Sequence, residues 1–161
     1  GHYMSTWKMP PKAKVYEALS AVADKRVSLT GATTAQVLSS SRDKTYDVAW
    51  SEDISEMTSN DNASYWQGYI GYPCIAVLLQ IGKISFNPQI AQRLADVPWK
   101  SVNEQFKRDY DKATNHILDE IEARGGSRTE LAQEVERIHE QLNSLQLKRS
   151  QRRRRPPKGK K

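Results

Sequence analysis

The chain has 161 residues, 37% of them hydrophobic and 27% charged, with one cysteine and a formal net charge of +6. That length suits a single domain with a real core. One cysteine excludes an intramolecular disulfide framework and fits a reducing compartment, cytoplasmic or, in a eukaryote, nuclear, and no apolar run approaches the ~20 residues of a membrane-spanning helix.

The charge is unevenly spread. Residues 148–161 hold nine cations (Lys148, Arg149, Arg152, Arg153, Arg154, Arg155, Lys158, Lys160 and Lys161) and no acid. With nine of the 25 basic residues set aside, 16 face 19 acids over residues 1–147, so the body is about −3 and the tail +9. The basic character belongs to a tail rather than to a domain surface.

Gly1-His2-Tyr3 before Met4 read as a cloning remnant, and residues 1–10 as a flexible lead-in without a secretory leader. An α+β domain is expected over 11–147. After Pro10-Pro11, Val15, Ala18, Leu19 and Val22 repeat at steps of three and four, an amphipathic helix ending near Lys25. Period two follows at Val27 and Leu29, at Ala35 and Val37, and at Tyr46, Val48 and Trp50. Thr33–Ser40 also tolerates a helix. Ser41-Arg42-Asp43-Lys44 reads as a hairpin loop, Ser51-Glu52-Asp53 as a turn, and Ile54–Thr58 as a weak strand. A small antiparallel sheet of three or four strands with one apolar face results, and that face must be covered.

The cover is predicted in the stretch Ser59 to Ile84. Asn60 or Asp61 caps a short helix over Ala63–Gln67. Gly68 and Gly71 interrupt it, and Pro73 suits the opening of a helix. Cys74 to Leu79 is apolar nearly all round, which predicts a buried core helix with Gly82 just past its end.

Downstream, Asn87-Pro88 starts a small helix bearing Ile90, Ala91 and Leu94, which Pro98 ends. Val102, Phe106, Tyr110, Ala113, Ile117 and Ile121 then predict one long helix, with Ser101 and Glu104 as a capping box. Gly125-Gly126 stops it, and Ser127 with Glu130 forms a second capping box. Leu131, Val135, Ile138, Leu142 and Leu145 make a short heptad seam, expected to pack on the long helix as an antiparallel helical hairpin or to pair between chains in a homo-oligomer. Residues 148–161 contain nothing apolar to bury and are expected to be disordered.

Catalytic signatures are missing. His116 and His139 sit on different helices with no neighbouring ligand, and Asn60-Asp61-Asn62 lacks the ligand alternation and final glutamate of a calcium loop. Gly68 and Gly71 lack the Lys-Ser/Thr of a phosphate loop, and the residues between them are not basic, as an RNA-clamping loop would require. Ser59 and Ser64 have Asp61 nearby in sequence but no histidine, so nothing supports a hydrolase. The sequence therefore predicts no catalytic residue, metal or cofactor, and a non-enzyme. Its leading expectation is a nucleic-acid-associated protein, DNA or RNA, whose nine tail cations bind phosphate. Tyr65, Trp66, Tyr69 and Tyr72 offer a stacking or ligand surface, with Asn60, Asp61, Asn62 and Gln67 as its polar groups. The alternatives are an assembly module using the heptad seam and a small-ligand binder or enzyme at Asn60–Tyr72.

Overall fold

The computed structural model describes residues 5–149 and 155–158. It is a mixed α+β fold. Helix α1 spans Lys12–Ala23, followed by strands β1 (Val27–Gly31), β2 (Thr34–Leu38), β3 (Thr45–Trp50) and β4 (Glu56–Ser59). A π-helical turn over Ala63–Gln67 leads into α2 (Tyr72–Gln80), α3 (Pro88–Gln92), α4 (Trp99–Gln105), α5 (Tyr110–Ala123), α6 (Arg128–Leu145) and a short β5 (Lys148–Arg149). No helix among the described residues is long and apolar enough to cross a membrane.

The sheet runs β1-β2-β3-β4-β5. The first four strands pair antiparallel, with Val37 opposite Tyr46 and Val48 opposite Ser59. Ala35, Val37, Tyr46, Val48 and Met57 point to the core, as their alternation requires. On β1, an edge strand, the alternation fails: Leu29 is 57% exposed. Thr33–Ser40 forms strand, not helix.

α2 is buried along Pro73–Leu79 and meets β1 to β4 on one side and α1 on the other. The helix expected to be amphipathic, α1, is buried along Ala13–Ala21 on every face, because α3, α5 and α6 cover the side that α2 leaves. The order of layers is sheet, α2, α1, then the outer helices.

Three expectations are corrected. The single long helix is two: Lys107 (φ 53°) and Arg108 (φ 66°) turn left-handed, and Asp109 restarts the chain by accepting from the Lys112 amide at 3.1 Å. The break costs no apolar spacing, so periodicity runs straight across it. Ser101 therefore caps nothing and lies inside α4, which begins after Pro98. Ser127 does cap α6, accepting from the Glu130 amide at 3.2 Å, while the Glu130 carboxylate pairs with Arg93.

The other corrections concern the two ends. Lys148 and Arg149, expected to be disordered, pair in parallel with Glu56 and Met57, which makes the sheet mixed and five-stranded. Residues 5–10 are likewise built in rather than flexible. Trp7 is 8% exposed, its amide donates to Leu147 O at 2.9 Å and its indole N–H to Met57 O at 3.1 Å. His139 Nε2 lies 2.9 Å from the Pro10 carbonyl. Backbone donors and a large apolar ring, not apolar side chains in the tail, order these ends.

Leu131, Val135, Ile138 and Leu142 are at most 2% exposed and Leu145 packs partly against the core. The heptad seam is spent inside the chain, against α1, α3 and α5, and offers no ridge for a second copy. Leu78 is fully buried and Leu79 is 2% exposed. Replacing Leu78 with alanine should cost ~2–5 kcal/mol in chemical denaturation. A loss under ~1 kcal/mol at both positions would contradict their placement between sheet and α1.

Candidate functional site

A cleft of about 850 Å³ opens between α1, the loop before β3, the π-turn and the start of α2, and the α4–α5 break. Its size lies within the ~300–1,000 Å³ of small-molecule sites. The segment Asn60–Tyr72 supplies one wall.

Asp61 organises that wall. Its carboxylate is 4% exposed and accepts from Ser59 Oγ at 2.6 Å, Ser64 Oγ at 2.7 Å and the Ser64 amide at 3.0 Å. It thus caps the π-turn, and the acceptors of a buried carboxylate are satisfied without a cation. Gly71 makes room for it: a Cβ at Gly71 would lie 1.9 Å from Asp61 Oδ2. Gly71 has an ordinary φ of −77°, so this glycine is required for space alone. Gly68, with φ 73°, ends the π-turn left-handed. The helix cannot continue through it, and Tyr65, Tyr69 and Tyr72 do not share a helical face.

Trp66, Gln67, Tyr69 and Tyr72 line the cleft, with Asp61 and Asn62. Asn60 and Tyr65 do not. Asn60 is buried and ties β4 to β3, accepting from the Asp47 amide at 2.8 Å. Tyr65 stands edge-on to Trp66, ring centres 4.5 Å apart. Trp66 is 66% exposed at the rim.

The opposite wall was not legible in the sequence. Lys14 and Glu17 of α1 form a buried ion pair at 3.3 Å. Glu17 also accepts from Asn103 Nδ2 at 2.7 Å, and the Lys14 ammonium lies 4.0 Å from the Tyr110 ring centre. Burial lowers the Lys14 pKa, but Glu17, with Tyr110 and Tyr69, outweighs it and the net shift is upward, so Lys14 stays charged. Arg26 is 3% exposed; it donates to Leu38 O at 2.8 Å, pairs with Asp24 at 3.3 Å and lies 6.0 Å from the Tyr72 ring centre. Lys100 pairs with Asp43 at 2.8 Å, fastening the loop before β3 to α4. The bonds from Lys100, Ser41 and Ser39 hold the Asp43 carboxyl well below the usual range. The one available signal was a run of polar residues, Lys14, Glu17 and Ser20, on a helix otherwise read by its apolar face alone.

Of the nine tail cations, Lys148 is exposed on β5. Arg149 is half-buried, with its guanidinium 4.8 Å from the Trp7 ring centre and against Gly68. Arg155 and Lys158 are exposed in irregular backbone. Arg152, Arg153, Arg154, Lys160 and Lys161 lie outside the described residues. No group of three or more His, Cys, Asp or Glu side chains among the described residues could hold a metal ion. Cys74 is buried, and burial pushes its thiol well up, away from the reactive thiolate.

A family model described as "Uncharacterised conserved protein UCP014422" matches residues 7–148. The chain belongs to that family. The match takes in every wall of the cleft, from α1 to α5, together with Trp7, and stops at Lys148. No curated protein and no solved structure matches the chain.

Two measurements test this geometry. Gly71→Ala should destabilise the fold by ~1–3 kcal/mol through overpacking, and Asp61→Ala in the same chain should recover part of that loss, a coupling that a double-mutant cycle reads directly. The second is alkaline. Burial, with Asp61, Asp43 and Glu17 nearby, pushes the Tyr46 phenol up to about 12 from 10.0, and burial, with Tyr46 nearby, raises Tyr72 further. The unfolded chain releases these protons near pH 10 and the folded chain does not, so stability should fall as pH rises from about 10 to 12. Tyrosine absorbance should show Tyr46 and Tyr72 ionising only as circular dichroism reports unfolding; native ionisation of every tyrosine near pH 10 would contradict the burial.

Proposed function

We propose that this protein is a non-enzymatic nucleic-acid-associated protein whose C-terminal tail binds the phosphate backbone and whose Trp66 rim supplies a second contact. The observation that carries the reading is the seat of Arg149. Its guanidinium rests against Gly68, whose neighbours Gln67 and Tyr69 both line the cleft. Arg149 therefore sits against the glycine that ends the turn carrying the exposed indole of Trp66, so in this reading a polyanion bound by the tail also meets that ring. Nine cations among fourteen residues, four of them consecutive arginines, favour phosphate through bidentate pairing and counterion release. Aromatic rings tolerate any base sequence, which suits an arm without sequence preference. An intracellular, cytoplasmic setting goes with this reading.

Lys148 and Arg149 belong to the sheet, so the informative truncation removes residues 150–161 and spares β5. With about six tail cations on phosphates, log affinity should fall with log salt at a slope of roughly −4 to −5. The truncated protein should lose most of that slope, since the body is net negative. Trp66→Ala should leave the slope nearly unchanged while weakening binding by ~1–3 kcal/mol per stacked base. Equal affinity and equal salt sensitivity of whole and truncated protein would show that the tail is not the anchor. Absence of binding by the whole protein at low salt would sink the reading.

A further inference from the structure

We propose that the cleft is a nucleotide site: a purine or pyrimidine ring lies against the aromatic wall of Trp66 and Tyr69, with its phosphate toward Lys44 and Arg108. The inference deepens the nucleic-acid reading and rests on it only for the source of the nucleotide, a strand rather than a free monophosphate.

The argument begins with which charges are already engaged. Of the acids in the lining, Glu17 is held by Lys14 and Asn103, Asp43 by Lys100 and two serines, and Asp61 by Ser59 and Ser64. Lys14, Lys100 and Arg26 have carboxylate partners. Lys44 and Arg108 also line the cleft, and among the described residues neither side chain has an ion pair. Glu104 is the lining acid whose carboxylate has no hydrogen bond among the described residues; it is exposed and helps keep Lys100 charged. Two unpaired cations thus face one solvated acid, and an anionic group suits the site. Arg108 is exposed and is carried to the lip by the left-handed turn between α4 and α5. A guanidinium and an ammonium that line one cleft from separate elements suit a phosphate's several oxygens.

The rest of the lining suits a flat, hydrogen-bonding ring. Among the described residues, Trp66 and Leu29 are the exposed large hydrophobics, and of the two only Trp66 lies on the cleft. Tyr65 props it edge-on. Asn62 and Gln67 stand beside it in the lining; their amides carry both donors and acceptors, as base edges require. Both are exposed, and neither makes a side-chain hydrogen bond among the described residues. The floor does not repel an anion, because Lys14 and Glu17 cancel. The cleft, about 850 Å³, has room for one nucleotide.

The test titrates the full-length protein with a ribonucleoside 5′-monophosphate, its nucleoside and inorganic phosphate, followed by tryptophan fluorescence and amide chemical shifts. The monophosphate should saturate and shift the amides of residues 62–69, Lys44 and Arg108. Nucleoside and phosphate alone should bind at least about tenfold more weakly. Lys44→Gln and Arg108→Gln, which keep the stems and remove the charge, should each weaken the monophosphate about five- to tenfold and leave the nucleoside unaffected. Failure of the monophosphate to saturate, or indifference of both glutamine variants, overturns the inference. A second arm compares a single strand and a duplex of equal length. Single-strand preference that the monophosphate competes away, and that Trp66→Ala loses, supports a strand as the source. Equal binding of strand and duplex beside saturable monophosphate supports a free nucleotide. No monophosphate binding with the tail-dependent salt slope intact removes the cleft site and leaves the nucleic-acid reading standing; loss of both removes both.

Discussion

Lys14 and Glu17 sit on a helix that has almost no outside. α1 is surrounded by α2, α3, α5 and α6, so these two charges are withdrawn from water wherever the helix lies. Desolvating an ion pair is tolerated only when geometry is good and the remaining donors and acceptors find partners. The partners are Asn103 on α4 and the ring of Tyr110 at the head of α5. Satisfying one buried pair thereby anchors α4 near its end and α5 at its start. Ser20 imposes a similar demand a turn further on, accepting from the Trp99 indole at 2.8 Å and donating to Leu94 O at 2.6 Å. The cleft is the space left in front of α1 once these demands are met.

The facing wall follows a different rule, one of volume. Asp61 fits only because Gly71 has no side chain, and Gly71 is also where α2 begins. A single contact therefore couples the capping of the π-turn to the start of the helix that covers the sheet. One wall is electrostatic in origin and the other steric, so a substitution in either has a distinct signature in stability. Lys44 and Arg108 line the cleft as well, and among the described residues neither side chain makes an ion pair that supports either wall.

Elements whose burial is one-sided or complete were legible from pattern. β2 and β3 alternate, and Cys74 to Leu79 is apolar all round. The α4–α5 break was hidden because Phe106, Tyr110 and Ala113 keep helical spacing through Lys107 and Arg108, whose left-handed backbone leaves no mark in hydropathy; only Asp109, a good cap, hinted at it. The far wall of the cleft was hidden because Lys14, Glu17 and Arg26 are polar residues that pattern assigns to solvent, and only packing from distant segments turns them inward. The aromatic wall was legible as a cluster but not as a shape, since Gly68 sends Tyr65 away from the cleft and Tyr69 into its lining. The strand at Lys148 and Arg149 was invisible for a related reason: it is held by backbone hydrogen bonds and by the Arg149 guanidinium over Trp7, neither of which hydropathy marks.

That last arrangement bears on the order of synthesis. Trp7 is synthesised before both of the backbone groups that seat it, on Met57 and Leu147. The antiparallel strands and α2 can assemble as they are made, because their partners are near in sequence. The amino-terminal segment cannot. During translation its indole waits as exposed apolar surface until the last strand is released, and closing that long loop is the slow, entropically costly kind of contact. Seating Trp7 thus joins segments that lie far apart in sequence, and a nascent chain not yet extended through Leu147 lacks one of the groups that hold it.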